Sequence, residues 1–315
     1  MYEKWKGVHT RCAFNMIQEL IPLTRPRTLA AALGPTILGA AFSYYAFGAA
    51  QGTGLAILHT VLIFLAVVTA QIVANLWNEY KDFKSGLDAG QKVGNAGSIT
   101  RGVITPELII TMIKVLMFVP IIIGLYLSTT ITWYYIPVGF LCILISFLYS
   151  GGPKPISRTP FGEISSGIAM GFAIVLITGY AWTRELSLAL LIPAIPSTLL
   201  VGSIMLTNNI RDIRNDESHG RHTLPIMLGR ERALSLMSIS YIFNFIWIIA
   251  WIIVGHMTWF ALLAFLATPL AFKTIHTLST NTDEFQLDKA MGTTAGAAMI
   301  YQLMWAVGLI MGKLF

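Results

Sequence analysis

Long apolar runs separated by polar connections set the rhythm of this chain. Nine runs, at 29–50, 53–76, 107–127, 130–149, 161–182, 186–207, 232–255, 257–273 and 290–311, are built mainly from Leu, Ile, Val, Phe and Ala. A helix needs about 20 mostly apolar residues to cross the hydrocarbon core of a bilayer. The pattern therefore predicts an all-α integral membrane protein with nine transmembrane helices. The eighth run is the shortest, and Pro269 is expected to kink or end it. Connections after odd-numbered runs are brief, marked by Gly52, Ser128-Thr129, Arg184-Glu185 and His256. Those after even-numbered runs are longer, above all 77–106 and 208–231, which are predicted as cap loops on one face. No linker or low-complexity segment divides residues 1–315, so a single domain is expected. The first 28 residues are too polar for a secretory signal and read as an amphipathic arm, with Trp5, Phe14, Ile17 and Leu20 on its apolar side.

Composition agrees with the pattern. Hydrophobic residues make up 55% of the chain and charged ones 11%, where soluble domains carry about 25% charged. The charges are unevenly placed: all of the 21 Lys and Arg except Lys114, Arg184 and Lys313 fall on the face that holds the N-terminus. The positive-inside rule then puts the N-terminus and the long loops in the cytoplasm and the C-terminus outside, in a multi-pass protein of the cell membrane. The net charge of +6 belongs to that face and to anionic headgroups; no basic stripe with interleaved aromatics points to nucleic acid. Cys12 and Cys142 form neither a metal motif nor a plausible disulfide, and no obligate protein partner is implied.

Two polar blocks stand out against this background. The first, Asn78-Glu79-Tyr80-Lys81-Asp82, runs on to Lys84, Gly86 and Asp88; the second, Asn208-Asn209-Ile210-Arg211-Asp212, runs on to Asp216, Gly220 and Arg221. Each follows an apolar run, four runs apart, as in a weak internal repeat. If helical, the i, i+4 spacing sets Asn78 beside Asp82, and aligns Asn208, Asp212 and Asp216 in one row. Hard oxygen ligands in two facing rows suit Mg²⁺ and a diphosphate, and Arg211 and Arg221 suit phosphate oxygens. The bland alternative, a solvated helix laced with ion pairs, does not explain paired asparagines at a membrane boundary. Gln71 and Asn75, inside the second run, face either a cavity or a partner helix. Tyr149-Ser150-Gly151-Gly152-Pro153-Lys154 is either ordinary turn chemistry or a close approach to a ligand, with Lys154 or Arg158 capping the diphosphate. Arg25, at the start of the first run, reads as a topology anchor in preference to a substrate contact. A secondary transporter is the rival of a different class, but its ionisable groups belong near the midplane, and these lie at one edge.

These residues together resemble the UbiA superfamily of intramembrane prenyltransferases, and within it the branch acting on 1,4-dihydroxy-2-naphthoate in menaquinone biosynthesis. The likeness rests on Arg25-Pro26-x-Thr28-Leu29, the block from Asn78 to Asp88, Tyr149 to Pro153 with Gly162-Glu163, and the block from Asn208 to Leu224. Glu79 stands where many members have Asp, and Arg101 is displaced from its usual place. The resemblance implies nine helices ringing a central cavity, and Mg²⁺-dependent transfer of a polyprenyl group from its diphosphate to an aromatic ring, with loss of the ring carboxylate as CO₂. Other acceptors within the superfamily are 4-hydroxybenzoate, haem, homogentisate and glycerol-ether lipids. It implies metal ligation by Asn78, Glu79, Asp82, Asp88, Asn208, Asp212 and Asp216, with the aspartates catalytic. Diphosphate binding is expected from Asn78, Asn208, Asn209, Arg211, Lys84, Lys154, Arg221 and Tyr149.

Overall fold

The computed structural model describes residues 20–87 and 97–315, among which every regular element is helical. A short turn, Pro26–Leu29, leads into α1 (Ala30–Phe47), α2 (Thr53–Ser85), α3 (Pro106–Thr130) and α4 (Tyr135–Ser150). There follow α5 (Gly162–Thr183), α6 (Leu191–Ser218), α7 (Arg230–Ile253), α8 (Trp259–Thr280) and α9 (Glu284–Leu314). Seven of these, α2, α3 and α5 to α9, are long and apolar enough to cross a membrane. The helices α1 and α4 are shorter, at 18 and 16 residues. Large apolar side chains such as Phe140, Ile239, Ile242 and Phe272 point outward, while Ala264, Ala290, Ala297 and Gln302 are buried. An apolar exterior of this extent is stable against lipid and costly against water.

Two expectations are corrected. The segments 77–106 and 208–231 are not simply loops, because α2 continues through Ser85 and α6 through Ser218. Asn, Glu, Lys and Asp do not break a helix; glycine does. The chain leaves α2 at Gly86 (φ 74°), whose N–H reaches back to Asp82 and Phe83, and leaves α6 near Gly220 (φ 68°). At 33 and 28 residues the two helices are about 50 and 42 Å long, so they outreach a hydrocarbon core of about 30 Å. Second, of the two outcomes expected of Pro269, a kink or an end, it does not end the eighth run; the backbone changes its winding beside it. A 3-10 segment, Trp259–Ala267, becomes α-helical at Thr268, and the helix continues to Thr280. Pro269 sits in the first turn of the α segment, where a missing N–H costs nothing.

Inside α6, Pro196 cannot donate to the Ile192 carbonyl. The indole N–H of Trp247 on α7 supplies that bond instead, at 2.9 Å. The end of the bundle remote from the two polar blocks is clasped by Arg184, which donates to the carbonyls of Ile131 (2.6 Å) and Thr130 (2.7 Å) and to the Gln51 side chain. Gln51 in turn contacts His59 Nδ1 (2.9 Å) and donates to the Ala181 carbonyl (2.8 Å). One cation thus joins the start of α2, the end of α3 and the end of α5.

Candidate active site

The C-terminal ends of α2 and α6 meet over a cavity of about 360 Å³. Its mouth is walled by Arg25, Asn78, Asp82, Asn208, Asp212, Asp216 and Arg221, its depth by residues such as Ile63, Leu127, Ile174 and Ile177. Both polar blocks are helical, as the i, i+4 spacing anticipates, and they converge on one guanidinium. Arg221 reaches Asp82 Oδ1 at 3.3 Å and Asp216 Oδ1 at 3.1 Å. The turn at Gly220 makes this possible: it folds the chain so that the Arg221 N–H donates to the Asp216 carbonyl at 3.0 Å. Arg211 is the second internal cation. It grips both oxygens of Asp212 at 2.7 Å, Asp288 Oδ1 at 2.8 Å and Asn208 Oδ1 at 2.9 Å.

The first block is held differently. With its amide set to satisfy every neighbour, Asn78 donates to Asp82 Oδ2 (3.2 Å) and Ser150 Oγ (3.0 Å) and accepts from Arg25 (3.1 Å). Glu79 turns away from the cavity: its Oε1 accepts from the Ser98 N–H at 2.7 Å and the Ile99 N–H at 3.4 Å. Upstream, Gln71 donates to the Thr28 carbonyl (2.7 Å) and Asn75 to the Thr24 carbonyl (3.0 Å), tying the start of α1 to α2 while both also line the cavity. Both readings of these two residues are therefore met.

Other expected site residues are placed apart. Lys84 lies over the Tyr80 ring (5.6 Å) and Lys154 is exposed; neither lines the cavity. Tyr149 does line it. Gly151 allows close approach of a protein group and not of a ligand: a Cβ there would lie 2.9 Å from Trp77 Nε1, which donates to the Phe147 carbonyl. Asp88 and the arm before residue 20 lie outside the described residues. Arg25, expected as a topology anchor, is part of the cavity wall, and its proximity to the charged groups of α2 was foreshadowed only by its place before α1. Asp288, 72 residues beyond Asp216 at the start of α9, carried no local signal at all.

The oxygen-rich mouth suits a hard divalent cation. Asp216 Oδ2 is buried without a hydrogen-bond partner, and Asp82, Asp212 and Asp216 are near enough to repel one another. Among the described residues no three His, Cys, Asp or Glu side chains already form a metal cage; arginines bridge the carboxylates instead. Carboxylate and amide oxygens are the donor set of Mg²⁺, which keeps several waters and is completed by substrate phosphates. The residues present fit that ion.

The molecule is thus a lipid-facing helical protein whose cavity is charged at one end and apolar along its depth, as an amphipathic ligand with an anionic head requires. The chain belongs to the UbiA prenyltransferase family, which matches residues 32–307, as the motifs led one to expect. It is 34% identical to the 1,4-dihydroxy-2-naphthoate octaprenyltransferase of Bacillus subtilis (strain 168), over 94% of this chain and 93% of that protein. Its fold is that of a UbiA homolog from Aeropyrum pernix K1 (TM-score 0.67, 18% identity, 90% of this chain and 97% of the other). A UbiA homolog from Archaeoglobus fulgidus bound to GPP and Mg²⁺ superposes with a TM-score of 0.61 at 15% identity, over 92% of this chain and 99% of that one.

Proposed function

We propose that the protein transfers a polyprenyl group from its diphosphate to 1,4-dihydroxy-2-naphthoate, the reaction that the Bacillus subtilis relative is named for. The observation that carries this reading is likeness to that enzyme along nearly the whole chain, joined to a cavity whose mouth is acidic and basic and whose depth is apolar. Bound Mg²⁺ would neutralise the diphosphate and help it leave. Asp82, Asp212 and Asp216 would hold the cation, and the amides of Asn78, Asn208 and Asn209 line the same mouth. Arg221 and Arg25 face the same space and supply fixed positive charge to phosphate oxygens, an arrangement that needs no reorganisation as the bond breaks. The apolar wall below them excludes water from the reacting allylic carbon until an electron-rich ring carbon attacks, with loss of the ring carboxylate as CO₂.

In the same reading α1 and α4 cross the bilayer with the seven longer helices, giving nine spans around the cavity. The Lys- and Arg-rich face is cytoplasmic and the C-terminus lies outside the cell membrane. Residues 1–315 act as one domain. The decisive assay incubates membranes holding the protein with labelled prenyl diphosphates and a panel of aromatic acceptors. Prenylated, decarboxylated naphthoate that forms only with Mg²⁺ is the expected product. Transfer to 4-hydroxybenzoate alone, or no diphosphate release from any donor, would contradict the reading.

A further inference from the structure

Glu163, at the start of α5, has no part in the chemistry described above, yet its carboxylate is buried, with 4% of the residue exposed. Burial of an ionised group is costly unless hydrogen bonds compensate. Its Oε1 accepts from Asn209 Nδ2 on α6 at 2.8 Å, and its Oε2 has no partner. The closeness of the two helices is imposed by glycine. A Cβ on Gly167 or Gly171 would lie 2.5 Å from the carbonyl oxygens of Thr198 and Ser197. Between those glycines α5 is wound as a π-helix, Gly167–Phe172, a feature that shifts register and recurs at functional sites.

The pairing settles which end of the Asn209 amide is available. Nδ2 faces Glu163, as an accepting carboxylate oxygen requires, and Oδ1 is left on the other side. Asn209 lines the cavity, and what it offers there is an oxygen, which cannot donate to a phosphate. The adjacent Asn208 is set the opposite way: its Oδ1 is taken by Arg211, leaving its amide N–H groups to serve an anion. Two neighbouring asparagines are thus turned toward ligands of opposite charge.

We propose that Glu163 is a positioning residue that holds the Asn209 amide oxygen toward the divalent cation gathered by the acidic cluster. The inference rests on the reading that a magnesium diphosphate occupies the cavity mouth. It reassigns Asn209 from a diphosphate donor to a cation ligand held by a buried partner.

The test is direct titration of purified protein with Mn²⁺ in the presence of inorganic diphosphate, read by electron paramagnetic resonance, with the melting midpoint of the metal-free protein as a fold control. In Glu163→Ala the amide is free to rotate, and the Mn²⁺ concentration for half-saturation should rise about tenfold or more, the usual cost of losing an outer-shell partner. Asn209→Asp alone sets two carboxylates against each other and should weaken binding as well. The double variant Glu163→Gln/Asn209→Asp reverses the hydrogen bond, with Gln donating, and again leaves an oxygen toward the cavity; it should bind within about threefold of wild type, where lost partners cost 10- to 100-fold. Wild-type binding with unshifted half-saturation in Glu163→Ala, or a double variant no better than Asn209→Asp, overturns this inference alone. A wild-type protein that takes up no Mn²⁺ with diphosphate overturns the parent reading along with it.

Discussion

The two polar blocks share a spacing but not a physical situation. In the second, on α6, each carboxylate already has a cation: Arg211 clamps Asp212 and Asp288, and Arg221 holds Asp216. In the first, on α2, no basic residue belongs to the cavity-facing row; Asp82 borrows Arg221 from beyond the other helix, and Asn78 borrows Arg25 from before α1. The second block is therefore a pre-built electrostatic frame, and the first completes itself through long-range partners. Repetition of a motif does not mean repetition of its role. Residues in the frame should matter to folding and chemistry alike, the cavity-facing Asn78 and Asp82 of the first block mainly to chemistry.

The largest effect should come from the carboxylates that both blocks aim at the mouth. Asp82→Asn and Asp216→Asn are each expected to lower prenyl transfer by roughly 10²- to 10³-fold, the scale of losing one preorganised electrostatic contact. Steady-state product formation at saturating Mg²⁺ checks this, and near-normal turnover in either variant sinks the assignment. Next comes the division between frame and chemistry. Arg211→Met removes the buried guanidinium that the partly buried Asp212 and Asp288 share, and breaking a buried ion pair from one side costs up to about 3–5 kcal/mol. Its thermal unfolding midpoint in detergent should drop clearly, whereas Asp82→Asn should leave the midpoint nearly in place. Equal melting behaviour would erase the contrast between the blocks.

A third comparison concerns Glu79, whose carboxylate fastens the chain at Ser98 and Ile99. Glu79→Gln keeps an accepting oxygen, so activity should stay within a few-fold of wild type. Glu79→Ala should lose about 1–3 kcal/mol of local stability, the penalty for unpaired buried donors, visible as faster amide exchange at Ser98. A Glu79→Gln enzyme as inactive as Asp82→Asn would restore the metal-ligand expectation. The smallest effect belongs to Lys154, which is exposed and off the cavity. Lys154→Ala should change the prenyl diphosphate KM by less than about twofold, in line with exposed charges generally; a larger rise would return this residue to the diphosphate site.

Much of the architecture is legible from local pattern. Apolar runs locate the helices because a lipid-facing helix must be apolar over its whole span, and the i, i+4 spacing of Asn78 and Asp82 holds because the helix does not stop at the membrane boundary. What escapes local reading is convergence. Arg25 reads as an anchor until α2 packs beside it. Glu163 is legible as part of a motif, but its partner Asn209 is not until Gly167 and Gly171 let α5 pack against α6. Asp288 meets Arg211 only because α9 returns to the same end of the bundle. Glu79 misleads for a complementary reason: it sits in the motif, yet neighbouring helical positions point about 100° apart, and its side chain leaves the row that Asn78 and Asp82 share.

The clasp at Arg184 has a mechanical consequence. Helices pinned together at one extremity behave like the arms of a clothes-peg: they part least beside the pivot and most at the free tips. Of the three pinned helices α2 carries Asp82 at its free tip, so a widening among them that admits a bulky guest would open the charged mouth most and the clasped end least.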